Sequence, residues 1–389
     1  MHWKNSVLMT VLMGLVASGC STKPGPTQSA STTTRFKIYS DEDQSSYVVR
    51  HLEETIFTIK ATKWHDGARG AISLTYDAPW GVDPRFKQAT NAAIKRNLCM
   101  DMEMVTSKYL STSRRPLIDR IRRELLPNGV HVFGHGHTHV RHDELGFDAA
   151  YESFKTDFGL MVEWGLKPRA YAYPHSSGKH ISTQLANKQA GFIAARGGTN
   201  NPDEYYICPD DVREPDNWYF LPSVVMGIKD GGDIPSHQML APILARAETL
   251  DAWIILMYHS IGVPEGWAYY PLEEFERNLD YIADSSLWSG NLDDVAAYIQ
   301  ERNSLDINVV GFFGSALPKE FEMTISDHLD NAIYDQPLTF DLTFNPEIEV
   351  QKVYIDPSIN GQSSFRVTDD QLRLHMVPDE KRYTLALED

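Results

Sequence analysis

Short apolar runs that stop at a polar residue recur along most of the chain. Residues 71–76 (AISLTY) end at Asp77 and read as a buried strand delivering a carboxylate to a turn. Residues 130–133, 170–173, 192–195 and 253–258 repeat the form, and lead into a histidine-rich stretch, Pro174-His175, Arg196 and His259. Helical spacing lies between them. Pro116 opens a segment with Leu117, Ile118, Ile121 and Leu125, closed by Pro127-Asn128-Gly129. Phe147, Tyr151, Phe154, Phe158 and Val162 mark another, stopped by Gly165 and Pro168, and two more follow at 272–282 and 292–299. Strands alternating with helices predict a parallel sheet with crossover helices. In a parallel barrel the strand C-termini share one face, where active sites are built. Asp77, His135, His139, Arg196 and His259 all follow predicted strands.

After Ser304 the period changes from helical to alternating. Segments 321–325, 338–344, 350–355, 365–367, 372–376 and 383–387 read as short strands, with at most a helical turn near 329–333. The expected organisation is a barrel over 36–304 and a small β domain over 305–389.

The first residues read differently. Lys4 precedes an apolar run from Val7 to Val16, too short to span a bilayer, and then Ala17-Ser18-Gly19-Cys20. This resembles the lipobox of bacterial lipoproteins, which implies a signal peptide over 1–20, cleavage before Cys20 and a lipid on its thiol. Residues 21–35 are rich in Ser, Thr and Pro and read as a flexible tether. The expected location is the bacterial cell envelope, on the periplasmic side of the outer membrane or at the cell surface. Cys99 and Cys208 either pair or stand as separate thiols.

Composition is that of an ordinary globular chain, with 42% hydrophobic and 23% charged residues among 389. The net charge of −17 argues against nucleic acid and anionic lipid as partners. Histidine is the exception to this ordinary picture: five of the 14 fall between His131 and His142. Imidazole is a good ligand for zinc and similar ions. His135 and His139 are spaced i, i+4, which on a helical turn puts both rings on one face, able to share a metal. His137 and His142 are expected to support that pair or to lie at the surface. Asp77 reads as a general base, a metal ligand or a turn former. His259 reads as a proton donor to a leaving group or as a core histidine.

These stretches together resemble the polysaccharide deacetylases, carbohydrate esterase family 4, over about 64–302. Thr75-Tyr76-Asp77-Ala78-Pro79 corresponds to a T-F-D-D-G motif, and His135-Gly136-His137-Thr138-His139 fits H-G-x-[ST]-H. Tyr171-Ala172-Tyr173-Pro174-His175 corresponds to F-A-Y-P-Y-G, and Met257-Tyr258-His259 to a strand ending in histidine. The resemblance implies a distorted, incomplete (β/α) barrel of seven or so strands, followed here by the all-β domain. It implies one divalent metal, usually zinc, held by His135 and His139. Asp77 would be the base, His259 the acid, and the His175 peptide N–H an oxyanion donor. The substrate would be an acetylated carbohydrate.

Two departures stand out. Ala78 replaces the family's third metal ligand, which leaves Asp77 itself, Asp83 or Asp101 as candidates, or a weakened site. Ala172 stands where many members keep an arginine nearby, and Arg196 is the candidate to orient Asp77 instead. Aromatics near these loops include Trp80, Tyr173, Tyr205, Tyr206, Trp218, Trp267, Tyr269 and Tyr270. Trp80, Trp218 and Tyr173 are the expected sugar-binding rings. Two other functions fit the same features: a metal-independent hydrolase of a non-acetyl amide, and a non-catalytic carbohydrate-binding lipoprotein.

Overall fold

A computed structural model describes residues 39–40, 43–51, 54–77, 84–208, 217–228, 231–311 and 319–389. The expected signal peptide, Cys20 and tether lie outside these residues, as do Ala78, Trp80 and Asp83. No helix among the described residues is long and apolar enough to cross a membrane.

The first elements among the described residues are strands β1 (Tyr39–Ser40), β2 (Asp43–His51) and β3 (Glu54–Ala61). Next come β4 (Ala71–Asp77), α1 (Pro84–Ile94), β5 (Met100–Met104), α2 (Arg115–Arg120), β6 (Val130–Gly134), α3 (Phe147–Glu163) and β7 (Ala170–Ala172). The chain continues through α4 (Ile181–Ala190), β8 (Ala194–Thr199), β9 (Leu221–Val225), α5 (His237–Thr249) and β10 (Trp253–Tyr258). Strands β4 to β10 lie side by side in chain order and parallel. Pairing of β10 with β4, Trp253–Tyr258 against Ala71–Tyr76, closes these seven strands into a barrel.

The barrel is closed, and its distortion has a local cause. The pair β11 (Ser260–Ile261) and β12 (Tyr269–Tyr270) borders the mouth, and α6 (Leu272–Asp284) follows. Strand β13 (Trp288–Ser289) then pairs with Ala71 and Ile72 at the start of β4, whereas β5 pairs only with its end, Thr75–Asp77. The β4–β5 seam is thus split at the N-terminal end. Ser289 Oγ bridges it by accepting the Cys99 N–H at 3.1 Å. Helix α7 (Leu292–Asn303) follows, and its first turn packs into the N-terminal end of the barrel with Phe133, Ala170, Ala194 and Trp253.

Alternation sorts the side chains. On β5, Met100, Met102 and Met104 pack outward against Phe86 and Ala89 of α1 and Ile118 of α2. Asp101 and Glu103 therefore point into the barrel. Small residues on the inner face, Ala71, Ala170, Ala172 and Ala194, leave room for such polar groups.

The β domain is larger than 305–389. Strands β14 (Asp306–Gly311), β15 (Glu320–Ser326), β16 (Leu338–Phe344), β17 (Lys352–Ile359), β18 (Gln362–Arg366), β19 (Gln371–Met376) and β20 (Asp379–Glu388) form two antiparallel sheets together with β1–β3. One sheet runs β1-β2-β3-β16-β19, the other β14-β15-β20-β17-β18. Their inner faces share one apolar core that includes Phe57, Ile59, Phe321, Phe340 and Leu385. Phe57 lies opposite Phe344, and Ile59 opposite Leu342. The start of the barrel expected at 36 is corrected by this register. Residues 39–61 complete the sandwich, and the barrel begins at Ala71. The region near 329–333 forms turns.

Candidate active site

Asp77 closes β4, Glu103 lies next to the end of β5, and His135 follows β6. Asp77 and Glu103 are register partners on adjacent strands, and the His135 N–H bonds the Met104 carbonyl at 2.9 Å. His259 follows β10, whose last residue pairs with Tyr76. Four side chains from four strands therefore meet at the C-terminal mouth, as expected for residues that follow parallel strands.

Asp77 is the hub. Its Oδ2 lies 3.2 Å from His135 Nε2 and 3.3 Å from His259 Nε2. Burial alone would push this carboxyl up, but His135 and His259 together hold it well below the usual carboxylate range. The other ring nitrogen of His135, Nδ1, lies 3.0 Å from the Ala172 carbonyl. A carbonyl only accepts, so Nδ1 carries a proton; burial would lower this ring, but Asp77 beside Nε2 raises it. His135 Nε2 and Asp77 Oδ1 are buried without a hydrogen-bond partner.

Behind His135 sits a pair that the sequence motifs do not reveal. Glu103, 0% exposed, contacts the buried Arg196 guanidinium through Oε1, and its Oε2 lies 3.5 Å from His135 Nδ1. Burial lowers Arg196 to about 10. Arg196 contacts Glu103 and Met257 Sδ, which corrects its expected pairing with Asp77. Arg196 also lies inside β8 and not after it. The Met-Asp-Met-Glu-Met alternation of β5 was the signal available for Glu103.

The histidine loop is not a helical turn. Gly136 and His139 both take left-handed backbone, with φ 82° and 58°. At Gly134 a Cβ would come within 2.6 Å of Asp157 Oδ2 and 2.8 Å of the Tyr171 ring, so only glycine fits there. Asp157 from α3 is buried and accepts the Thr106 hydroxyl at 2.6 Å and the Gly136 N–H at 3.2 Å. Burial pushes its carboxyl up to about 7. The single Thr106 proton goes to Asp157, so Thr106 accepts from His137 Nδ1 at 3.0 Å. His142 is buried, stacked 4.3 Å from the Phe154 ring and 3.1 Å from Ser153 Oγ. Both histidines thus brace the loop.

His139 stands between its neighbours, with ring centroids 4.8 Å from His135 and 4.8 Å from the exposed His175. Burial and the nearby His135 lower it to about 4, so it is neutral at neutral pH, the form that ligates metal. Within the described residues, the metal-ligand atoms that lie within 4.8 Å of one another at this mouth belong to Asp77, Glu103 and His135.

Two expected sugar-binding rings are misplaced. Trp218 accepts the Ala195 N–H on its carbonyl just before β9 begins, at the N-terminal end of the barrel, and packs there against the inner core. Tyr173 is 2% exposed, enclosed by Phe154, Tyr171 and Phe220. Trp267 is 48% exposed, and its ring meets His259 edge-on at 4.2 Å. Asp101 is also excluded from the mouth, because Asn291 and the Leu292 N–H take its two oxygens at the opposite end. Cys99 and Cys208 do not pair with each other.

No family model matches the chain, and no curated protein does. Several solved structures are similar to it. A family 4 carbohydrate esterase from Streptomyces lividans is 14% identical, over 57% of this chain and 92% of that one, with a TM-score of 0.38. A carbohydrate deacetylase is 9% identical over 83% of this chain and 65% of that one, at 0.44. A family 4 pseudoenzyme from Bacillus anthracis is 12% identical over 58% and 65%, at 0.40. Likeness at this distance says nothing about activity, which the chain's own residues have to carry.

Proposed function

We propose that this chain is a metal-dependent hydrolase that removes acetyl groups from a carbohydrate at the cell envelope. The observation that carries this reading is Asp77 Oδ2 lying 3.2 Å and 3.3 Å from two ring nitrogens at the barrel mouth. The residues fit a divalent cation. A ring nitrogen and an ionised carboxylate oxygen face each other at 3.2 Å, and His135 Nε2 and Asp77 Oδ1 lack hydrogen-bond partners. His135, His139 and Asp77 would hold the metal, which when bound polarises an acyl oxygen and acidifies water.

The protein groups do the proton work. Asp77, kept ionised, accepts a proton from the attacking water. His259, its Nε2 toward Asp77, gives a proton to the departing amine or alcohol. The exposed loop at His175 is where a backbone donor would face the tetrahedral oxyanion. Trp267 beside His259 offers a face to a sugar ring. By the sequence alone, a lipid on Cys20 tethers the chain to the membrane.

The test is acetate release from acetylated oligosaccharides by the full chain, with and without a chelator. Release that stops on chelation and in His135→Ala is expected. Release that survives both would transfer the reading to the metal-independent amide hydrolase. Glycan binding without any release would leave a carbohydrate-binding protein.

A further inference from the structure

Under the reading above, Asp77 would have to be ligand and base at once, because alanine at 78 has no donor atom. A catalytic zinc normally keeps three protein ligands and one open position. We infer that Glu103 supplies the missing carboxylate ligand, which leaves Asp77 free to act as the base.

Three observations carry this, and it rests on the proposed metal site. Parallel pairing sets Glu103 level with Asp77 on the neighbouring strand, so both carboxyls leave the barrel wall at one height. Ligand atoms of Asp77, Glu103 and His135 all lie within 4.8 Å of one another, close enough for side-chain rotation to gather them. Both Glu103 oxygens are buried without a hydrogen bond, and Oε1 alone has an ion-pair partner, Arg196. One oxygen thus faces Arg196, and the other lies 3.5 Å from His135 Nδ1, the nitrogen that bonds the Ala172 carbonyl, with no hydrogen bond of its own. A carboxylate fully buried at 0% exposure is otherwise expensive, and one arginine whose guanidinium also lacks partners at Nε does not account for the whole arrangement. Arg196 then acts as a counter-ion, neutralising part of the charge of two adjacent carboxylates before metal arrives.

The experiment is zinc titration of the full chain by calorimetry, with cobalt absorption as a second readout. Glu103→Gln is expected to weaken zinc binding by more than ~100-fold and to change the cobalt spectrum, with circular dichroism unchanged. Ala78→Asp added to Glu103→Gln restores a carboxylate beside Asp77 and is expected to recover the affinity. This double variant decides the matter if the single one misfolds. Wild-type zinc affinity in folded Glu103→Gln, or no recovery in the folded double variant, overturns the inference. So does a wild-type chain that binds no zinc. Zinc held through Glu103 with no acetate released would remove the deacetylase reading and leave this inference standing. Acetate released by a chain whose zinc affinity ignores Glu103 would do the reverse.

Discussion

The two ends of the barrel carry nearly the same side chains, two of the three at each end from the same two strands. At the mouth are Asp77, Glu103 and His135; at the N-terminal end are Asp101, His131 and Asp293. Glu103 and Asp101 are two residues apart on β5, and His135 lies four residues beyond His131. What separates them is the supply of partners. Asp101 accepts from Asn291 and from the Leu292 N–H at the start of α7, at 2.7 and 2.8 Å. Asp293 is held by His131 at 2.9 Å and Arg169 at 3.0 Å. Arg169 also reaches Asp294 and Asp335, which ties the loop before β16 to the barrel floor. At the mouth, His135 Nε2, His259 Nδ1, Asp77 Oδ1 and Glu103 Oε2 have no hydrogen-bond partner. Satisfied groups build structure, whereas unsatisfied groups in a cleft are available for chemistry.

The largest effect that would sharpen this contrast is on turnover. Asp77→Asn should cut acetate release by roughly 10²–10⁴-fold, the range for a lost general base, while Asp293→Asn leaves kcat within a factor of a few. Equal losses in both variants, at equal folded fractions, would erase the distinction between the two ends.

Stability should show the opposite ranking. Asp293→Ala leaves His131 and Arg169 without their carboxylate and should cost ~3–5 kcal/mol in urea unfolding, with zinc affinity unchanged.

A pH effect follows from the same cluster. Burial opposes protonation of His131, but Asp293, Asp294 and Asp101 raise it to about 10. A raised folded value means that the contribution is full below the unfolded histidine value of ~6.5 and is lost as pH climbs toward 10. The stability gap between wild type and His131→Gln should therefore narrow steadily across that window. A gap that is constant with pH would show that the His131–Asp293 contact is not ionic.

The smallest effect concerns the rings. Trp267→Ala should raise KM for an oligosaccharide about 2- to 10-fold, equivalent to ~0.5–1.5 kcal/mol of aromatic contact, while Trp218→Ala leaves KM unchanged. A KM change from Trp218 alone would place substrate at the wrong end of the barrel.

Much of this was legible from local pattern. Buried strands read as unbroken apolar runs, so β4, β6, β7 and β10 announced themselves, and the polar residue after each run marked the mouth. β5 was missed because its inner face carries Asp101 and Glu103, which broke the apolar run. β9 was missed because Pro222 interrupts it. Residues 43–51 and 54–61 fall inside the expected barrel range because no local pattern sets them apart from it. Their mates on β16 lie far along the chain. The i, i+4 histidines were expected on a helix, but the loop's left-handed residues set their geometry.

By itself, the sequence determined the alternation of strand and helix, which residues leave each strand at its polar end, and the histidine enrichment at one of those ends. These are consequences of side-chain period and residue type, which are local. The tertiary structure alone decided which carboxylates are satisfied. The partners of Asp101 come from residues 291 and 292, and whether a buried oxygen finds a donor depends on what chain closure brings to it. That is why Asp101 became structural, and why Glu103, two residues on, was left beside His135 with an oxygen to spare.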